Sequence, residues 1–290
     1  MAITSVTGKT AVKSEPAVTR ILVLLDDTRG ARAALETAAD LAAHQHAELV
    51  GLFVEDTDLL RSAGLPFSHE ISMTSGQTRP LEAALVEREL RERARLLEQA
   101  LASAGTRRAL RWRFEVGRDR LERAADTAAE PRDTLVVGRN GWRRHYGPAM
   151  GSVASRLARA TRCSVLVVGE ERPRHDRPVV VLQPGGDDPS PTLDTAIRLA
   201  RDRSRPLCIL LRPGSGPSAE LERLAGEWSR RVGTPIRFEH IADTRAPTLV
   251  EALHRAEGQA LVISRASEPL ATAEGYRLLD ELDVPVLVID

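Results

Sequence analysis

At 290 residues with 42% hydrophobic content, the chain is long enough for about two domains with substantial cores. Lys+Arg and Asp+Glu balance at 41 each and aromatics make up 3%, so a nucleic-acid binder's basic field and stacking platforms are both missing. No apolar run approaches the ~20 residues of a membrane span, the first residues lack the apolar core of a signal peptide, and Cys163 and Cys208 fall in no metal or redox spacing. The expectation is therefore a cytoplasmic protein with no nucleic-acid or membrane partner, whose cysteines serve as small core residues.

Residues 1–19 read as a disordered polar tail. Its Gly8-Lys9-Thr10 is no P-loop, because Ile3 stands where a glycine is needed. Short β-branched apolar runs then appear at 20–25, 48–54, 111–116, 134–138 and 164–168. They alternate with helical stretches such as Leu90, Ala94, Leu97 and Leu101, a stripe at period 3.6. That alternation is the pattern of a parallel sheet covered by helices. Residues 56–80 show no clear periodicity and close on Pro80 at a helix start. So long a segment suggests a lid or partner surface anchored by Leu59, Leu60, Leu65, Pro66 and Phe67, or local packing on the sheet edge.

The charged, proline-bounded residues 171–178 read as a linker. Beyond it, runs at 179–182, 207–211, 236–240, 260–264 and 284–289 repeat the strand order, with Leu221, Leu224, Ala225, Trp228 and Val232 as a helical stripe between. The chain is thus read as a tandem repeat, 20–170 and 179–290, of one α/β unit. The copies are unequal. Leu211 to Phe238 is far shorter than the corresponding Phe53 to Phe114, and Ser264-Arg265-Ala266-Ser267-Glu268-Pro269 stands where the first copy carries glycines.

Those glycines are the main chemical signal: Gly138-x2-Gly141-x9-Gly151-Ser152 directly follows the run Thr134-Leu135-Val136-Val137. Glycine brings main-chain N–H groups close to an oxyanion, and successive amides in a turn form an anion nest. Ser152 opens a helical run at Val153, whose first N–H groups lack intrahelical partners and favour a phosphate. Arg139, Arg143, Arg144 and His145 either add charge to such a site or form a solvated basic loop. Asp26, ending the first strand, either faces a ligand or caps the next helix near Thr28 or Gly30, and Asp27 could help hold a magnesium ion.

The opening Ile21-Leu22-Val23-Leu24-Leu25-Asp26-Asp27-Thr28, the second run Leu52-Phe53-Val54-Glu55, and the glycine pattern between Leu135-Val136-Val137-Gly138 and Ser164-Val165-Leu166-Val167-Val168 carry a resemblance. Over residues 20–169 the chain resembles the universal stress protein family, specifically its ATP-binding class. The second unit is similar only in strand order and in Val284-Pro285-Val286-Leu287-Val288-Ile289, and is read as a degenerate copy without a phosphate loop. The resemblance implies two tandem five-stranded parallel-sheet α/β sandwich domains of order 3-2-1-4-5, with ATP across the carboxyl ends of the first and fourth strands. Carried over by position, Asp26 lies near the ribose, the Val54 backbone meets adenine, and Gly138, Gly141, Gly151 and Ser152 wrap the ribose and phosphates. The last strands pair, 164–168 with 284–289, into an intrachain pseudo-dimer from which higher homo-oligomers can form. The implied function is nucleotide-dependent regulation or stress survival, acting on unidentified protein partners. A slow ATPase or phosphoryl-transfer enzyme and a ligand-free scaffold stay open, although no catalytic triad, His-rich metal spacing or P-loop lysine is present.

Overall fold

The computed structural model describes residues 19–63, 65, 67–71, 76–139, 152–170, 177–183, 190–201, 205–212, 214, 216–233, 236–272 and 275–289. The first unit runs β1 (Arg20–Leu24), α1 (Arg29–Gln45), β2 (Glu48–Asp56), α2 (Thr57–Ala63), β3 (His69–Ile71), β4 (Thr78–Pro80), α3 (Ala83–Arg107), β5 (Trp112–Asp119), α4 (Leu121–Ala128), β6 (Thr134–Gly138), α5 (Val153–Ala160) and β7 (Ser164–Val168). The second runs β8 (Val179–Leu182), α6 (Ser190–Arg201), β9 (Leu207–Leu211), α7 (Ala219–Val232), β10 (Ile236–His240), α8 (Ala246–Arg255) and β11 (Ala260–Ser264). Short 3-10 turns at Glu268–Leu270 and Gly275–Arg277 then lead into α9 (Leu278–Glu281) and β12 (Val286–Ile289).

The strands form one 10-stranded sheet, β10-β9-β8-β11-β12-β7-β6-β1-β2-β5. Counting main strands within each unit, both halves have the order 3-2-1-4-5 and are parallel throughout. The seam is the exception: β7 and β12 pair antiparallel, Val165 with Val288, Leu166 with Leu287 and Val167 with Val286. A local twofold therefore passes through Leu166 and Leu287. The sequence resemblance implied this pairing, and it removes the edge that either unit would otherwise expose.

Helices cover both faces, which explains why β1, β6, β7 and β12 are nearly continuous apolar runs rather than alternating ones. One core packs Leu22, Leu135, Val165, Val286 and Val288 under α4, α5, α8 and α9. The other packs Val23, Val136, Leu166 and Leu287 under α1, α3, α6 and α7. Each core crosses the seam without a break. Cys163 and Cys208 are free, buried thiols within these cores. Burial, with Glu239 nearby, pushes the Cys208 thiol up to about 11.

Three sequence expectations shift in detail. The last strand starts at Val286, after Pro285, which has no N–H to give to a ladder. The strands β2 and β5 run on together as far as Asp56 and Asp119. Residues 56–80, expected to lack regular structure, contain α2 and the β3–β4 hairpin, and α3 starts at Ala83, beyond Pro80. Leu60 packs against Phe53, Ala63, Val86 and Leu90, whereas Leu65 and Phe67 stand in solvent. The tail 1–18 and most of the linker lie outside the described residues.

Candidate functional site

Winding reverses between β1 and β6, the place where open α/β sheets leave a crevice at the carboxyl ends of their strands. Asp26, two residues past β1, is buried, and its Oδ1 accepts the Thr28 N–H at 2.8 Å and the Thr28 hydroxyl at 2.5 Å. Thr28 in turn caps α1, accepting the Ala31 N–H at 3.1 Å. Asp26 thus fixes the cap that starts α1. Of the helix-cap and ligand-facing roles read for Asp26 from the sequence, the cap itself falls to Thr28, which Asp26 holds in place.

Gly138 closes β6 beneath this turn. A Cβ there would come within 2.4 Å of the Gly30 carbonyl carbon and 2.9 Å of the Ala31 nitrogen. The missing side chain lets the start of α1 sit directly on the tip of β6, a packing reason that sequence spacing did not reveal. Val54 is fully buried, with its side chain in the core under α4 and α5, so only its backbone is available to a ligand.

On the far side, Ser152 caps α5, its Oγ accepting the Ser155 N–H at 3.1 Å. The N–H groups of Val153 and Ala154 have no intrahelical acceptor in such a helix. Gly141 and Gly151, with Arg143, Arg144 and His145, lie outside the described residues.

Arg139 corrects the sequence reading, which gave it either phosphate or solvent. Its N–H donates to Val168 O at 2.8 Å, and its buried guanidinium crosses into the second unit. There Nε donates to Leu279 O at 3.0 Å and Nη2 to Val284 O at 2.5 Å. Burial pushes this guanidinium below its ordinary value, with Asp283 and Asp280 opposing the shift. Arg265 does the converse. Its N–H donates to Ile289 O at 2.6 Å, Nη2 donates to Cys163 O at 2.9 Å, and Nη1 bonds Ala158 O. The two clasps are related by the seam twofold, since Ala158 and Cys163 precede β7 as Leu279 and Val284 precede β12. A signal existed in the sequence: an arginine comes directly after the fourth strand in both copies, as Gly138-Arg139 and Ser264-Arg265.

Salt bridges line the rim at the carboxyl ends of β1, β2 and β5. Buried Glu55 pairs with Arg118 at 2.9 Å, Asp58 with Arg120 at 3.1 Å and Asp27 with Arg93 at 3.7 Å. The Arg93 contact gives Asp27 a counter-charge other than a metal ion. Among the described residues no group of three or more His, Cys, Asp or Glu side chains is placed to hold a metal. No described helix is long and apolar enough to cross a membrane.

The family model described as the universal stress protein family matches residues 17–169. Among solved structures, a universal stress protein from Archaeoglobus fulgidus is similar at 14% identity, covering 93% of this chain and 96% of that chain, with a TM-score of 0.69. A functionally unknown protein from Pseudomonas aeruginosa PAO1 is 17% identical over 94% of this chain and 92% of its own, at a TM-score of 0.57. A third, described as a putative universal stress protein from Pseudomonas aeruginosa UCBPP-PA14, is 14% identical over 94% and 93%, at 0.55. These likenesses show the fold over both units. No curated protein matches the chain. With the family model spanning the first unit, the chain belongs to the universal stress protein family.

Proposed function

We propose that the chain binds one adenine nucleotide, ATP, at the carboxyl ends of β1 and β6, and that it works as a nucleotide-dependent regulatory protein in stress survival rather than as a catalyst. The observation that carries this reading is the reversal between β1 and β6, where the two adjoining helices begin on capped first turns at Thr28 and Ser152. On this reading residues 20–170 hold the ligand, with Asp26 near the ribose, the Val54 backbone at the base, and Gly138, Gly141, Gly151 and Ser152 around the ribose and phosphates. Residues 179–290, joined through 171–178, act as an attached partner.

The residues present fit a ligand held by main chain. The Val54 side chain is committed to the core and the Arg139 N–H to Val168, which leaves the first-turn N–H groups of α5, at Val153 and Ala154, to meet a phosphate. They fit a tightly held Mg²⁺ less well, because Asp27 faces Arg93. A bound triphosphate would supply concentrated negative charge, and occupancy is what the protein then communicates to its partners.

Calorimetric titration of the full chain with ATP tests the reading. Saturable heat that is lost in Gly151→Val, with no phosphate release above background, is expected. Absence of heat at millimolar ATP would overturn it.

A further inference from the structure

We propose that the chain has a second small-molecule site, on the seam between its two units, that takes a short branched aliphatic 2-hydroxycarboxylate. It lies apart from the nucleotide reading above and does not depend on it. The site is a cavity of about 110 Å³ between α1 and α6, over the sheet where β7 meets β12.

Its apolar part is built on the seam twofold. Leu166 and Leu287, paired on the axis, form the floor, and Leu41 of α1 and Leu199 of α6 flank it. The two helix leucines are equivalent positions: Ala42 O, next to Leu41, accepts the Ala47 N–H at 2.9 Å, as Ala200 O, next to Leu199, accepts the Arg205 N–H at 2.9 Å. Leu166 and Leu287 stay 8% and 6% exposed while Val165 and Val286 beside them are wholly buried, because the cavity leaves the two leucines uncovered. An apolar cavity of roughly 150 Å³ takes up benzene, so the smaller volume here suits an apolar body of about four carbons.

The polar part belongs to the second unit and has no twofold copy. Buried Arg205 stands in the wall, and among the described residues that line the cavity there is no Asp or Glu. Gln259, also in the wall, has its Oε1 shielded from water and without a hydrogen-bond partner among the described residues. In the first unit Ala47 takes the place of Arg205. Asp133, which precedes β6 as Gln259 precedes β11, is already held by Arg20, through Nε at 3.1 Å and through Nη2. A guanidinium carries five donors, so Arg205 can hold a carboxylate in addition to its existing contacts. Gln259 Oε1 only accepts, so the ligand atom that meets it must donate. A hydroxyl does so without charge, whereas an ammonium group there would be repelled by Arg205. A carboxylate, a neighbouring hydroxyl and a branched apolar body together describe a short 2-hydroxy acid. Since both units supply walls, such a ligand also stabilises the docked seam.

The test titrates the full chain with 2-hydroxyisovalerate and with isovalerate by calorimetry, while leucine methyl resonances are followed by NMR. Saturable millimolar binding of the hydroxy acid is expected, with shifts at Leu41, Leu166, Leu199 and Leu287. Arg205→Met should weaken it about tenfold or more, and isovalerate should bind wild type about fivefold more weakly than the hydroxy acid, a preference that Gln259→Leu removes. Leu199→Trp, which fills the cavity, should abolish binding of both acids with the circular dichroism unchanged. Saturating ATP should leave the affinity as it is, because the cavity lies at the amino ends of β8 and β11 and not at the carboxyl ends of β1 and β6. If Arg205→Met fails to fold, the methyl shifts of wild type and the Gln259→Leu comparison decide. No saturable binding at millimolar acid, shifts confined to other methyl groups, equal affinity of wild type for the two acids, or displacement by ATP would overturn the proposal. A chain that binds the hydroxy acid but takes up no ATP would overturn the nucleotide reading alone.

Discussion

At the tips of β6 and β11 the two units use the same hydrogen bonds to different ends. After each strand comes an arginine whose N–H reaches the neighbouring last strand and whose guanidinium crosses the seam. In the first unit the residue before it is Gly138, pressed against Gly30 and Ala31 at the start of α1. In the second it is Ser264, a buried side chain whose Oγ accepts the Ala266 N–H at 3.2 Å. The first unit keeps its strand tip bare and the glycine spacing beyond it, whereas the second fills the tip and closes the chain into a short turn. The seam clasp and the glycine spacing are thus separable features of this fold. The second copy has the seam without the spacing Gly138-x2-Gly141-x9-Gly151-Ser152.

The sharpest way to break that comparison is at the clasps. Arg139→Ala and Arg265→Ala each remove two hydrogen bonds from a charged donor and strand two carbonyls, so each should destabilise the full chain by about 3 kcal/mol in denaturant unfolding. Unequal losses would contradict their equivalence. Next come the strand tips. Gly138→Ala drives a methyl group into the α1 backbone and should cost about 2 kcal/mol, while Ser264→Ala should cost no more than about 1 kcal/mol. Both are read from denaturation midpoints. Ser152→Ala removes the α5 cap and should cost about 1 kcal/mol.

The smallest effect concerns a brace between α1 and α3. Glu36 accepts from Arg107 at 2.5 Å and from Arg108 at 2.7 Å, at the end of the long α3. Burial pushes the Glu36 carboxyl up, but its bonds to Arg108 and Arg107 prevail and hold it below its ordinary 4.5. A carboxylate lowered on folding contributes stability that is complete above its unfolded value and lost as pH falls through the folded one. Glu36→Gln should therefore cost about 0.5 kcal/mol at pH 7 for this partly exposed pair, with the deficit shrinking as melting is repeated below about pH 4.

Much of the framework could be read from residues alone, because strands buried on both faces leave unbroken apolar runs. The strands β6, β7, β8, β9, β10 and β11 have the bounds that their runs suggested. Edges and insertions were less legible. The β3–β4 hairpin has only three residues per strand, too short for periodicity to register. At the site, Asp26 and Ser152 were readable as helix-start residues because capping is a local property. The packing of Gly138 and the reach of Arg139 were not, since their partners are remote in sequence: Gly30 for one, Leu279 and Val284 for the other. Position relative to a strand reports what a residue is attached to, but a long side chain is placed by whatever carbonyls the tertiary fold leaves open.

The first unit is proposed to bind one nucleotide and the second unit none. Native mass spectrometry of the intact chain with ATP counts this directly. A single ATP per chain is expected, and none in Gly151→Val. Two ATP molecules per chain, or one that persists in Gly151→Val, would contradict it.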